Sequence, residues 1–324
     1  AHLHPQYQLS LINYIKEQTG MGQFILTTHS TVLGSTIPLD KLIVVKDNNV
    51  FPMGSEHTKL SFSSYQFLER FMEATRANLF LAKGVIIVEG DAENLLIPTI
   101  AEIIGKPLHR YGVSIVNVGS TAFKRYADIF KRKDGSDFGV PVSIISDLDV
   151  RALEYYKAKG KEYPDRIADA SDLEKARATK KKGIEDANNE GEIHIYLPNQ
   201  WTLEYEIACS KLQKYLFCAV YVAKREDNKK FLYEEALLKA NEEWAKKYSN
   251  NSSGETDEEV RQRAYDIFSE LNVSKAATAQ YLADMLSKQH QKEIGDNSED
   301  TIKYRLEHDP YLQYIIDAIK HVTK

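Results

Sequence analysis

No stretch of this 324-residue chain approaches the roughly 20 consecutive apolar residues that a bilayer-crossing helix needs, and no secretory leader pattern opens it. The chain is therefore read as cytoplasmic, with no membrane partner. Cysteine is nearly missing. Cys209 and Cys218 are too few and wrongly spaced for a zinc knuckle, which suits a reducing compartment, and both read as core thiols. Positive charge is not in excess either: 42 Lys and Arg stand against 47 Asp and Glu, for a net charge of -5. Any nucleic-acid contact must then be local rather than a property of the whole surface. A phosphate loop of the form G-x-x-x-x-G-K-[ST] is absent, so this chain alone is not expected to bind ATP. An initiator methionine is also lacking. Ala1-His-Leu-His-Pro-Gln6 leads directly into a helical pattern, and the sequence reads as a C-terminal fragment.

With 43% hydrophobic and 27% charged residues, the chain can bury a sizeable core, as two domains or as one with a large insertion. Its organising stretch is Val85-Ile-Ile-Val-Glu-Gly-Asp-Ala-Glu93. Four aliphatics, all of them β-branched, predict a strand buried on both faces, turning at Glu89-Gly90-Asp91 into a helix over 92–104. A second such place is Val140-Pro-Val-Ser-Ile-Ile-Ser-Asp-Leu-Asp149, with a strand over 114–118 and a helix over 122–133 between the two. Alternating strands and helices predict a parallel sheet with crossover connections. Carboxylates then sit at the carboxyl ends of its strands, the edge where open α/β sheets bind ligands.

The spacing suits a hard cation. In extended chain, residues i and i+2 point the same way, so Asp147 and Asp149 are expected to offer oxygens to one place. Glu89 and Glu93 share a face if the helix begins near Glu89. Four converging carboxylates repel one another unless cations sit among them, and Mg²⁺ or Mn²⁺ prefers oxygen ligands. An acidic residue after a strand is also often a helix N-cap, and Asp91 is read as one.

A strand ending in Glu-Gly, followed by a strand ending in Asp-x-Asp, resembles the TOPRIM domain of topoisomerases, bacterial primases and several nucleases. More narrowly, the chain resembles the OLD (overcoming lysogenisation defect) family of ATP-dependent endonucleases. The resemblance implies an α/β fold: a Rossmann-like parallel sheet flanked by helices, with a helical insertion and C-terminal helical domain, preceded by a remnant of an ABC ATPase sheet. Residues 1–55 would be that remnant. A helix over 7–18 resembles the segment after the Walker B acids, and His29, after a strand over 23–28, resembles the switch histidine. His29 would meet ATP only in the full-length protein. Strands over 41–45 and 49–53 would complete this edge. His2 and His4 form an H-x-H pair, but the resemblance argues against a metal there.

Residues 56–82 read as a helical linker, whose aromatic stripe is better explained as core than as a base-stacking platform. The TOPRIM core would span 83–208. Within it, Gly119-Ser120 reads as a strand-to-helix turn, 151–190 as a charged, exposed insertion, and 194–197 as a further strand. Thr202 reads as the cap of a helix in Trp201-Thr-Leu-Glu-Tyr-Glu-Ile-Ala208. By resemblance Glu204 would help hold metal, while Glu206 is left structural. Residues 209–272 read as a helical domain with a loop at 250–254, and 273–324 as C-terminal helices completing the site. Ser274 caps the first of these. Lys275 follows at a position the helix dipole disfavours, a hint of another task. The resemblance implies a lysine essential to cleavage there, although Ala276 stands where the family often has glycine.

What the resemblance implies is a DNA endonuclease that nicks and then cuts both strands by two-metal hydrolysis, in phage defence or DNA processing. Two Mg²⁺ or Mn²⁺ ions would be held by Glu89, Glu93, Asp147, Asp149 and Glu204, with Lys275, Glu89 and Asp147 as catalytic residues. Partners would be DNA, a second copy in a homodimer, the N-terminal ATPase domain and a helicase-type protein. Local DNA contacts are sought in Lys124, Arg125, Lys131, Arg132 and Lys133, and in Lys175, Arg177, Lys180, Lys181 and Lys182, although such runs are more often solvated helix faces. Two rivals stay open. One is a TOPRIM primase or topoisomerase-type strand transferase, although none of the 19 tyrosines has a gate context. The other is a non-catalytic DNA-binding or dimerisation module of an SMC-like ATPase.

Overall fold

A computed structural model describes residues 3–18, 20, 22–71, 76–119, 122–160, 167, 169–228, 231–248, 256–271 and 273–324. His2, Ser120 and the 250–254 loop lie outside the described residues. The centre is a four-stranded sheet. Numbering strands along the chain, β1 (Ile43–Lys46) and β2 (Asn49–Pro52) form a separate antiparallel hairpin. The main sheet is built from β3 (Gly84–Val88), β4 (Val113–Asn117), β5 (Val142–Ile145) and β6 (Ile193–Tyr196) in the order β4-β3-β5-β6, all parallel. The chain steps from β3 to one side for β4 and back to the other for β5. The topological switch therefore falls between β3 and β5, the two strands that end in the acidic motifs.

Both faces of β3 are covered, as its unbroken aliphatic run requires. Val85 and Ile87 join an apolar layer with Val116, Val142, Ile144, Tyr126 and the linker residues Leu68 and Leu79. Ile86 and Val88 join the opposite layer, which runs through the Asp91–Ile103 helix into the C-terminal helices. That second layer includes Ile207, Leu216, Leu282, Leu306, Ile315 and Ile319, so one apolar surface unites residues from 86 to 322. The closing Gln313–Val322 helix lies on the sheet, and Ser143 Oγ donates to Ala318 O at 2.8 Å. Beside it, a Cβ built on Gly84 would stand 2.8 Å from Val322 O and 3.1 Å from Val322 Cβ. Backbone cannot yield as a side chain does. Gly84→Ala is expected to destabilise by about 1–3 kcal/mol, read as a lowered thermal midpoint, and an unchanged midpoint would disprove this close packing.

Strand β6 is an edge, and its outer side is blunted by its own chain: Asn189 Oδ1 accepts the Ile195 N–H at 2.7 Å, and Lys181 Nζ donates to Leu197 O at 3.0 Å. The helix over 7–18 is present as Pro5–Glu17. Residues 23–28 differ from expectation. They join no ladder, and Phe24, Ile25 and Leu26 are exposed, because none of the described strands lies alongside to pair with them. The next two strands pair only with each other, through a turn with Asp47 and Asn48 at φ 48° and 60°. Beyond β4 the expected long helix is a short one, Phe123–Ala127, with a 3₁₀ turn at Asp128–Phe130. Cys209 and Cys218 are free and buried. No helix of the described residues is long and apolar enough to cross a membrane.

Candidate metal centre

Glu89 is the first residue after β3, and its Oε1 accepts a short hydrogen bond from Ser146 Oγ, the first residue after β5. The two strand ends are thus tied together at the switch point. Gly90 then takes the N-cap position, and Asp91 opens the helix. Asp91 is therefore not the cap expected of it, and its carboxylate accepts from Asn117 Nδ2 at 2.6 Å. Only glycine fits at 90 without displacement, since a Cβ there would lie 3.0 Å from Glu93 Oε2. Because the helix starts at Asp91, Glu89 and Glu93 do not share a helical face. Glu93 instead sits in the first turn, where the dipole favours a carboxylate.

The paired-clamp reading of Asp147 and Asp149 also needs correction. Asp149 adopts φ 53°, outside extended chain, so the alternation rule that would pair the two side chains does not apply there. Asp147 is half-buried and accepts the Leu203 N–H at 3.1 Å, whereas Asp149 is exposed. Trp201 O holds this turn by accepting from the N–H groups of Leu148 and Asp149 at 3.0 and 3.2 Å.

Glu204 arrives from the Leu203–Cys209 helix, which Thr202 caps as expected. It is 5% exposed, and its two oxygens are divided: Oε2 accepts from Thr202 Oγ1 at 2.9 Å, and Oε1 meets Lys275 Nζ at 2.9 Å. Lys275 is the first residue of the Lys275–Lys292 helix, behind its Ser274 cap. The dipole disfavours it there, and the carboxylates explain its presence. Burial works against its ammonium, but the charges of Glu204, Asp147 and Glu93 outweigh burial and raise its pKa.

Four groups from four separate regions of sequence thus act on one another: Glu93, Asp147, Glu204 and Lys275. Burial, then the charges of Glu204 and Glu93, push the Asp147 pKa up to about 8. Glu93 is raised by burial and by Glu204. Glu89 is raised by burial and by Asp149, with the Ser146 hydroxyl opposing. Negative charge is crowded beyond what one lysine relieves. Among the described residues, no three His, Cys, Asp or Glu side chains are drawn tightly enough to grip one ion. Mutual repulsion between uncompensated carboxylates opposes such a convergence. The donor set still fits Mg²⁺ or Mn²⁺, being all oxygen and deficient in positive charge.

Residues 80–149 match the family described as "Overcoming lysogenization defect protein-like, TOPRIM domain". The chain contains an OLD-like TOPRIM domain. A TOPRIM domain typically implies a divalent metal. The matched span holds Glu89, Glu93, Asp147 and Asp149, while Glu204 and Lys275 come from outside it. No curated protein matches the chain. Among solved structures, the C-terminal region of the Xanthomonas campestris pv. campestris OLD protein is 22% identical, covering 76% of this chain and 94% of that one at a TM-score of 0.37. The C-terminal region of the Burkholderia pseudomallei OLD protein is 18% identical, covering 75% and 97%, at 0.38.

Three contributors to the candidate site escaped the sequence reading: Ser146, the Leu203 N–H and the second role of Thr202 as a donor to Glu204. Only the hydroxyls left a trace, as small polar residues beside the acidic motifs. Tyr314 also lies within electrostatic reach, buried, with its hydroxyl pKa held well above the usual value by burial and by Glu206, Asp147, Glu93 and Glu204. His29 is exposed, one residue before the Ser30 cap of the Thr31–Thr36 helix. The basic clusters are divided between fold and surface, with Lys124, Lys175, Lys180 and Lys182 exposed. Lys131 and Arg132 are buried, Lys131 paired with Asp128 at 3.1 Å, and Lys133 donates to Ser55 O at 2.8 Å. Arg177 is buried too.

Proposed function

We propose that this chain is the nuclease module of an OLD-family protein, hydrolysing phosphodiester bonds in DNA with divalent metal. The observation that carries this reading is the meeting of Glu93, Asp147 and Glu204 around Lys275 at the sheet's switch point. Glu89, Glu93, Asp147, Asp149 and Glu204 would hold two Mg²⁺ or Mn²⁺ ions. When bound, such ions lower the pKa of water and offset charge on the attacking and leaving oxygens. The protein's share is preorganisation. Ser146 orients Glu89, the Leu203 N–H orients Asp147, and Thr202 orients Glu204. Lys275 keeps a half-exposed ammonium beside them, where it meets charge growing on the phosphate. Cutting a duplex requires two such sites, so the working form is a homodimer. ATP, a helicase-type partner and a part in phage defence or DNA processing belong to the longer protein.

Supercoiled plasmid incubated with the chain and Mg²⁺, Mn²⁺, Ca²⁺ or EDTA tests this reading. Nicked and then linear DNA with Mg²⁺ or Mn²⁺, and intact plasmid in EDTA, is the expected result. Intact plasmid under every metal, from both this chain and the full-length protein, would exclude a nuclease. Trapping of a covalent protein-DNA adduct would replace hydrolysis with strand transfer.

A further inference from the structure

Arg177 belongs to the charged Ala170–Asn188 helix, yet it is only 6% exposed. Its Nη1 makes a short hydrogen bond to Gln200 Oε1, while Nε and Nη2 have no partner among the described residues. The Gln200 N–H in turn donates to Oε1 of Glu206, a fully buried carboxylate whose Oε2 is also unpartnered. One helical turn beyond Arg177, Lys181 Nζ donates to Leu197 O at 3.0 Å and to Asn199 Oδ1 at 2.9 Å. Two side chains of the same helix, four residues apart, therefore grip residues 197–200.

That segment runs directly into the donors of the metal centre. Trp201 O holds the Leu148 and Asp149 amides, Thr202 donates to Glu204, and the Leu203 N–H donates to Asp147. The helix touches the site a second time through Lys180 Nζ, 3.4 Å from Asp149 O. A buried guanidinium with idle donors is a poor source of stability, since apolar replacements of buried charges are often neutral or better. Its geometry suits another role. We propose that Arg177 is a positioning residue: through Gln200 and residues 197–203 it sets the groups that hold Asp147 and Glu204, making the insertion helix part of the catalytic apparatus. The inference rests on the metal-centre reading above.

The test compares Arg177→Met and Arg177→Lys with the unaltered chain by Mn²⁺ calorimetry, amide hydrogen exchange at residues 147–149 and 197–203, and thermal melting. In Arg177→Met, Mn²⁺ affinity is expected to fall about tenfold and the Leu203 and Asp149 amides to exchange faster, with the melting midpoint little changed. Arg177→Lys, which keeps one donor toward Gln200, recovers part of both. Unchanged affinity and unchanged exchange in a folded Arg177→Met overturn the proposal. If that variant does not fold, Arg177→Lys decides: weaker Mn²⁺ binding at an unchanged midpoint supports the role, and unchanged binding overturns it. Should the unaltered chain bind no Mn²⁺, the metal-centre reading fails. Amide exchange then decides the positioning role alone, faster exchange in Arg177→Met supporting it and unchanged exchange ending it.

Discussion

Asp147→Asn is expected to remove metal-dependent cleavage, by on the order of 10³-fold, while making the metal-free protein more stable at pH 8. The two effects share one cause. Burial and the charges of Glu204 and Glu93 lift the Asp147 pKa to about 8, against roughly 3.9 for an aspartate in an unfolded chain. Between those values the folded state retains a proton that the unfolded state has lost. Stability from this group is therefore complete below about pH 4 and is lost as pH rises through about 8. The loss amounts to about a few kcal/mol, shared with Glu93, which burial raises as well. Asparagine keeps an oxygen for the Leu203 N–H and removes the charge. Melting curves from pH 5 to 9 should fall for the unaltered chain and flatten for the variant. Binding of Mn²⁺ must expel the retained proton, so its affinity should rise toward pH 8 in the unaltered chain only. An Asp147→Asn protein that melts lower at pH 8, or that still cuts plasmid, would remove Asp147 from the centre.

Lys275→Met should lower the cleavage rate about 10²–10³-fold and leave Mn²⁺ binding intact or tighter. As a cation among Glu204, Asp147 and Glu93, Lys275 competes with metal for the same negative charge. Removing it therefore cannot weaken metal binding by Coulomb's law, provided the site keeps its shape. Its catalytic share is different, because an ammonium fixed near the phosphate matters most as the transition state gathers charge. Single-turnover cleavage at saturating Mn²⁺, beside calorimetry, separates the two. Cleavage within threefold of the unaltered rate would reduce Lys275 to a counter-ion for Glu204. Loss of Mn²⁺ binding would instead make it part of the scaffold.

The parallel sheet was legible because β3 and β5 carry aliphatic runs that only burial on both faces accommodates, and because Glu89 and Asp147 interrupt them abruptly. The caps at Thr202 and Ser274 were legible for a similar reason, since a side-chain oxygen beside the first helical amides is a local interaction. The turn at Asp149 was not legible because a left-handed residue other than glycine leaves no composition signal, and the rule of alternate sides holds only in extended chain. Residues 23–28 have the sequence of a strand but not its structure, because a ladder requires a neighbour and strand propensity cannot supply one.

Sequence alone determined the order of the strands along the chain, the acidic strand ends and the identity of the charged groups. Those depend on burial and on residues a few positions apart. Tertiary structure alone decided that Lys275 lies on Glu204, that the Leu203 amide holds Asp147, and that Arg177 is buried in a helix whose pattern suggests a solvated face. Each of these joins residues 23 to 71 positions apart, counted as 200 minus 177 for Arg177 and Gln200 and as 275 minus 204 for Lys275 and Glu204. Coulomb energy and hydrogen bonding act over a few ångströms of space, and only the packed sheet and its helices bring those distances about.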